Sequence, residues 1–194
     1  MELSFEEFAG FMPSTYTRTA IALHWIIALL ILAALPLGLT MTEMPLSPQK
    51  LKFYAWHKWL GVTVFGLAVL RLLWRATHPA PPLPAAIPAW QRSAAHALHW
   101  ALYALMLAIP LAGWLMSSAK GFQTVYLGVL PIPDLLSKNE ALGETLALVH
   151  AWLAYVLIAL LAVHVAAALK HHFIDRDDVL RRMLPGLKTG KEMT

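Results

Sequence analysis

Thr145–Leu169 reads TLALVHAWLAYVLIALLAVHVAAAL, an uncharged run interrupted only by two histidines, His150 and His164. At 1.5 Å per helical residue the run is long enough to cross a hydrocarbon core of about 30 Å. Fourteen residues separate the histidines, about 21 Å along the axis. Fourteen steps of about 100° stop about 40° short of four full turns, so both rings leave nearly the same face. Ionisable side chains within a bilayer are rare and mark function by default. Two imidazoles on one face, one near each membrane surface, suit a pair of stacked metal centres.

Three further spans precede this one: Ala20 to Leu39, about Phe53 to Trp74, and Ser93 to Ala119, the last containing Pro110. The chain is 59% hydrophobic and 13% charged, with mean hydropathy +0.60. Ordinary globular domains carry about 25% charged residues, so much of this surface faces something other than water. The expectation is an all-α, integral membrane four-helix bundle, a single domain over residues 1–194 in contact with membrane lipid.

Ten of the fifteen Lys and Arg fall at the N-terminus, between spans two and three, or at the C-terminus. The positive-inside rule therefore places both termini in the cytoplasm. That topology explains the net charge of +4 without nucleic acid. Met1–Arg18 is polar and acidic, and the first span is full length, so no cleaved signal peptide is expected. Pro13-Ser14-Thr15 offers a helix start. The Pro-rich segment 76–90 runs extended, and the longer connection from Lys120 to Glu144 contains an apolar stretch suited to the membrane interface. Asp175–Leu184 reads as a short surface helix. The absence of cysteine excludes disulfides, c-type haem attachment, iron–sulfur clusters and thiolate catalysis.

Depth tests the histidines. His24 lies four residues into the first span from its cytoplasmic end, and His164 six residues before Lys170. His57 is five residues past Lys52 and His150 six past Glu144. An inner layer thus holds His24 and His164, and an outer layer holds His57 and His150. Axial histidines from facing helices are what six-coordinate haem b requires. Zinc would want four converging ligands and a hard cation would want carboxylates, yet no acid lies inside the spans. His96 and His99 begin the third span at the inner depth, and either is placed to replace an inner ligand. Small residues beside these histidines, Gly61 and Ala147 among them, would let a flat macrocycle approach the backbone.

The segments Ala22-Leu-His24-Trp25, Trp56-His57-Lys58-Trp-Leu-Gly61, Arg71-Leu-Leu-Trp-Arg75 before the Pro-rich stretch, and His150 with His164 before His171-His172-Phe173 resemble the bacterial cytochrome b561 family. The resemblance runs from about Thr17 to Pro185. It implies that His24 and His164 ligate a cytoplasmic-side haem b, and His57 and His150 a periplasmic-side one, in the bacterial inner membrane. Family members include a superoxide oxidase that passes electrons from periplasmic superoxide to ubiquinone. Quinone-dependent oxidoreduction of that type is the function expected here. The alternative is a cytochrome b subunit linking quinone to a separate dehydrogenase, hydrogenase or periplasmic redox protein.

His171 lies seven residues beyond His164, about 20° from the same face and about 10.5 Å nearer the cytoplasm. There it is a candidate for a quinone pocket, with His99 and His96 as further candidates. Arg71 and Arg75 are matched to haem propionates by the fork geometry of guanidinium, or serve as membrane anchors. Lys52 and Lys58, beside His57, would focus a positive field on a small anion at the outer haem edge.

Overall fold

The computed structural model describes residues 15–84 and 86–184. Four long helices dominate: α1 (Arg18–Glu43), α2 (Pro48–Thr77), α3 (Ala89–Ala119) and α4 (Glu140–Lys170). Each is long and apolar enough to cross a membrane. All four contain the expected spans and overrun them at both ends or one, and polar caps rather than hydropathy set three of the N-terminal starts. Thr17 accepts from the Ala20 N–H, Ser47 from Lys50 ahead of Pro48, and Asn139 from Leu142. Thr17 therefore starts α1; of the expected Pro13-Ser14-Thr15 start, Pro13 and Ser14 lie outside the described residues.

The helices run up and down, so Arg18 and Lys170 share one end of the bundle. That termini end is stapled by long-range bonds. Trp25 Nε1 donates to the Met183 carbonyl at 2.6 Å, Trp74 Nε1 to Thr17 Oγ1 at 2.9 Å, and Arg182 to the Pro82 carbonyl at 2.7 Å. The segment expected as a helix over Asp175–Leu184 is instead a π-turn, His171–Asp175, then a bend and a 3₁₀ turn at Arg181–Met183. Arg176 at left-handed φ 54° ends the first turn, and Asp177 Oδ1 caps the Val179 N–H. Side chains bonded to nearby backbone compete with a continuous helix here.

The opposite end carries a small antiparallel hairpin, β1 (Thr124–Tyr126) and β2 (Leu130–Ile132), with Tyr126 opposite Leu130. Its turn needs positive φ at Leu127 and Gly128. The hairpin is tied down onto α2: Lys58 Nζ donates to the Phe122 carbonyl, Trp59 Nε1 to the Val125 carbonyl, and Thr63 shares a hydrogen bond with the Tyr126 hydroxyl. Trp114 Nε1 also reaches a loop carbonyl, that of Pro133. Several tryptophans near span ends thus fasten loops as well as line an interface.

Buried Ile27, Ile31, Val64, Leu102, Leu105 and Leu157 form the core, with every helix contributing. Leu157 sits midway between His150 and His164, so this apolar layer separates two polar levels. Outward-facing residues remain bare: Leu29 is 63% and Trp152 69% exposed. Such a surface fits lipid rather than water.

Candidate haem sites between the helix pairs

Backbones pack closely between α1 and α2, between α3 and α4, and between α2 and α3. The α4 backbone stands farther from α1 and α2, and histidines meet across that separation. His24 of α1 and His164 of α4 have ring centres 6.2 Å apart at an interplanar angle of 62°. His57 of α2 and His150 of α4 are 6.1 Å apart at 77°. The structure therefore brings each histidine of α4 against one from the first helix pair. Their fourteen-residue interval separates the levels by about 21 Å along α4.

The hairpin-level pair is oriented by backbone. His57 Nδ1 lies 3.1 Å from the Ala34 carbonyl oxygen, and His150 Nδ1 lies 3.0 Å from that of Ile109. A carbonyl can only accept, so both rings carry hydrogen on Nδ1 and leave Nε2 as the lone-pair nitrogen. Metal-bound imidazoles are held in this way, with the second nitrogen donating to a fixed acceptor.

At the termini level His99 approaches His164, with ring centres 5.4 Å apart, whereas His96 is exposed. His99 is thus the third imidazole of this level. Arg71 Nε donates to the buried Tyr103 hydroxyl at 2.8 Å, and its guanidinium acts electrostatically on His24, His99 and His164. Arg75 lies over the rings of Trp100 and Tyr103, at 5.8 and 5.9 Å. Nearby, burial pushes the Tyr16 phenol above its ordinary pKa, and the Arg75 and Arg71 charges pull it back only in part.

His171 lies in the π-turn, its Nδ1 2.6 Å from Asp177 Oδ2 and 3.2 Å from Asp175 Oδ2. Lys170 pairs with the same Asp175 oxygen. Its neighbour His172 is half-buried, and its Nδ1 finds no partner among the described residues. Lys58 is committed to the hairpin through Phe122, while Lys52 remains exposed.

A model of prokaryotic cytochrome b561 matches residues 15–186. The chain belongs to the prokaryotic cytochrome b561 family. It is 37% identical over 181 residues to cytochrome b561 homolog 2 of Escherichia coli (strain K12), covering 89% of this chain and 92% of that protein. Cytochrome b561 homolog 1 of the same organism is 31% identical over 180 residues, covering 89% and 98%. The probable superoxide oxidase CybB of Yersinia pestis is 27% identical over 178 residues, covering 90% and 98%. Membership makes this a multi-pass bacterial inner-membrane protein with b-type haem, in a family of oxidoreductases.

The paired histidines fit that cofactor. Two metal–imidazole bonds of about 2 Å, with roughly 1.2 Å from nitrogen to ring centre on each side, span about 6.4 Å. Both pairs stand within a few tenths of an ångström of that separation. One turn beyond His57, a Cβ placed on Gly61 would meet nothing of the chain within 4 Å. Open space beside a ligand-bearing face is what a flat macrocycle needs.

Two features at this site escaped the sequence. A Cβ on Gly38 would come within 2.9 Å of the His57 ring, and one on Gly113 within 3.1 Å of the His150 ring. The second is Tyr103, whose partnership with Arg71 crosses from α2 to α3.

Proposed function

We propose that this chain holds two b-type haems and passes electrons across the membrane from superoxide, taken at the hairpin end, to ubiquinone at the termini end. The observation that carries this is the pair of facing imidazole sets at two levels, with ring centres 6.1 and 6.2 Å apart. Haem, when bound, supplies the one-electron chemistry that none of these side chains possesses. In this proposal His57 and His150 hold the periplasmic-side iron, and His24 and His164 the cytoplasmic-side iron.

The remaining residues position, steer and protonate. Superoxide is a small anion, and exposed Lys52 adds positive field where it would arrive. Each superoxide that gives up an electron leaves as dioxygen. Two such electrons and two protons convert ubiquinone to ubiquinol. At the termini end the Asp177 and Asp175 carboxylates accept from His171 Nδ1, leaving Nε2 for a quinone oxygen. His99 flanks the same level beside His164. Arg71 and Arg75 offer cationic forks to propionates there.

Pyridine haemochrome analysis of the purified protein should give two haems b per chain; a lower ratio overturns the two-site proposal. Rapid mixing with superoxide should reduce the haem absorbance, and added ubiquinone should reoxidise it. A response no faster than the superoxide-free control removes superoxide as donor.

A further inference from the structure

We propose that Gly38 and Gly113 are positioning residues for the His57–His150 pair, each a notch into which an imidazole sinks so that its Nδ1–H reaches a backbone carbonyl. This rests on the assignment of that pair to a haem iron. The same construction occurs twice, on different helices. On α1 the acceptor is the Ala34 carbonyl and the notch is Gly38, four residues on. On α3 the acceptor is the Ile109 carbonyl and the notch is Gly113, again four residues on. Four residues is one helical turn, so acceptor and notch share a face.

Each notch is tight. A Cβ on Gly38 would lie 2.9 Å from His57 Cε1 and 3.3 Å from its Nδ1. A Cβ on Gly113 would lie 3.1 Å from His150 Cε1 and 3.2 Å from its Nδ1. The atoms met are those of a rigid ring, not the flexible tip of a long chain. Either ring can give way only by drawing back from its carbonyl, at present 3.1 and 3.0 Å distant. Retreat frees the Nδ1–H, releases the tautomer and turns Nε2 away from the facing ring. Gly66 supplies the contrast, since a Cβ there meets nothing within 4 Å.

The test compares Gly38→Ala, Gly113→Ala and Gly66→Ala with the unaltered protein by haem stoichiometry and by low-spin electron paramagnetic resonance. Each of the first two should weaken binding of one haem about 10–100-fold, the range for loss of a ligand's supporting contact. The signal lost should be the one that His150→Ala removes, while the other signal persists as an internal check on folding. Gly66→Ala should keep both. Retention of both unshifted signals in Gly38→Ala and Gly113→Ala overturns the proposal, as does indiscriminate loss of both.

A direct reading of the Nδ1–H bonds separates the seats from the haem assignment. In the purified protein as isolated, chemically reduced so that low-spin iron is diamagnetic and carrying ¹⁵N-labelled histidine, His57 and His150 should show hydrogen-bonded Nδ1–H resonances. Gly38→Ala should abolish that of His57 and Gly113→Ala that of His150. Persistence of these resonances overturns the seats. A haem ratio below two in the unaltered protein instead overturns the two-site assignment.

Discussion

His150 is fixed at two points, by its Nδ1–H on the Ile109 carbonyl and by its ring facing His57. Truncation removes both, while the His24–His164 pair sits about 21 Å away along α4 and shares no partner with it. His150→Ala should therefore lower the haem ratio from two to one per chain, and a spectrum still showing both would dissolve the assignment of levels. His171 makes a different case, because its ring is held by Asp177 and Asp175 and touches neither facing pair. His171→Ala should keep both haems yet slow ubiquinone reduction about tenfold, the worth of one hydrogen bond of ~1.4 kcal/mol. Unchanged quinone kinetics would exclude it from the pocket. The two histidine levels, and the His57–His150 meeting, were legible in the sequence because helical rise and the membrane ends fix depth. At the inner level depth alone left His96 and His99 beside His24 and His164, and the structure brings both His24 and His99 to His164. Gly38 and Gly113 were not legible, since a glycine's worth depends on how closely a neighbouring helix approaches, and no spacing along one helix records that distance.

Helix α4 joins the two levels through Leu157, seven residues from each histidine and 5% exposed. In lipid, transfer from water contributes little, but the packing contacts and the cavity cost remain. Leu157→Ala should cost about 2 kcal/mol, near the lower bound for such truncations, seen as a lower denaturation midpoint in detergent with both haem spectra retained. Loss of one haem alone would show that the apolar layer positions ligands. The four helices were legible because each needs only length and apolar composition. The hairpin was hidden by Pro131 and Pro133, which break the strand pattern and favour an extended interfacial run. What builds it is tertiary: Lys58, Trp59 and Thr63 of α2 bind Phe122, Val125 and Tyr126. The π-turn was hidden for a related reason. His171, Asp175 and Asp177 converge only if the chain leaves the helical path, and their hydrogen bonds outweigh a helix that the sequence would otherwise continue.

Across the whole molecule the two levels differ in the polar groups around their imidazoles, and under the two-haem proposal that difference would set a direction. At the hairpin level both rings donate to backbone carbonyls, which would make them stronger donors to an iron held between them and favour its ferric state. At the termini level Arg71, bonded to Tyr103 and within electrostatic reach of His24, His99 and His164, would favour the reduced state of an iron held there. The His57–His150 couple should therefore titrate at the more negative potential, making passage toward the termini end downhill. A unit charge at ~10 Å in an effective dielectric of about 20 is worth ~1.7 kcal/mol, or ~70 mV for a one-electron couple. Arg71→Gln should lower the potential of the His24–His164 couple by tens of millivolts and leave the other nearly unmoved. Spectroelectrochemical titration of the variant beside the unaltered protein checks this, with His150→Ala identifying which wave belongs to which level. If both waves shift equally, the field of Arg71 is not confined to one level. If neither shifts, the ordering rests on the carbonyl bonds of the hairpin level alone.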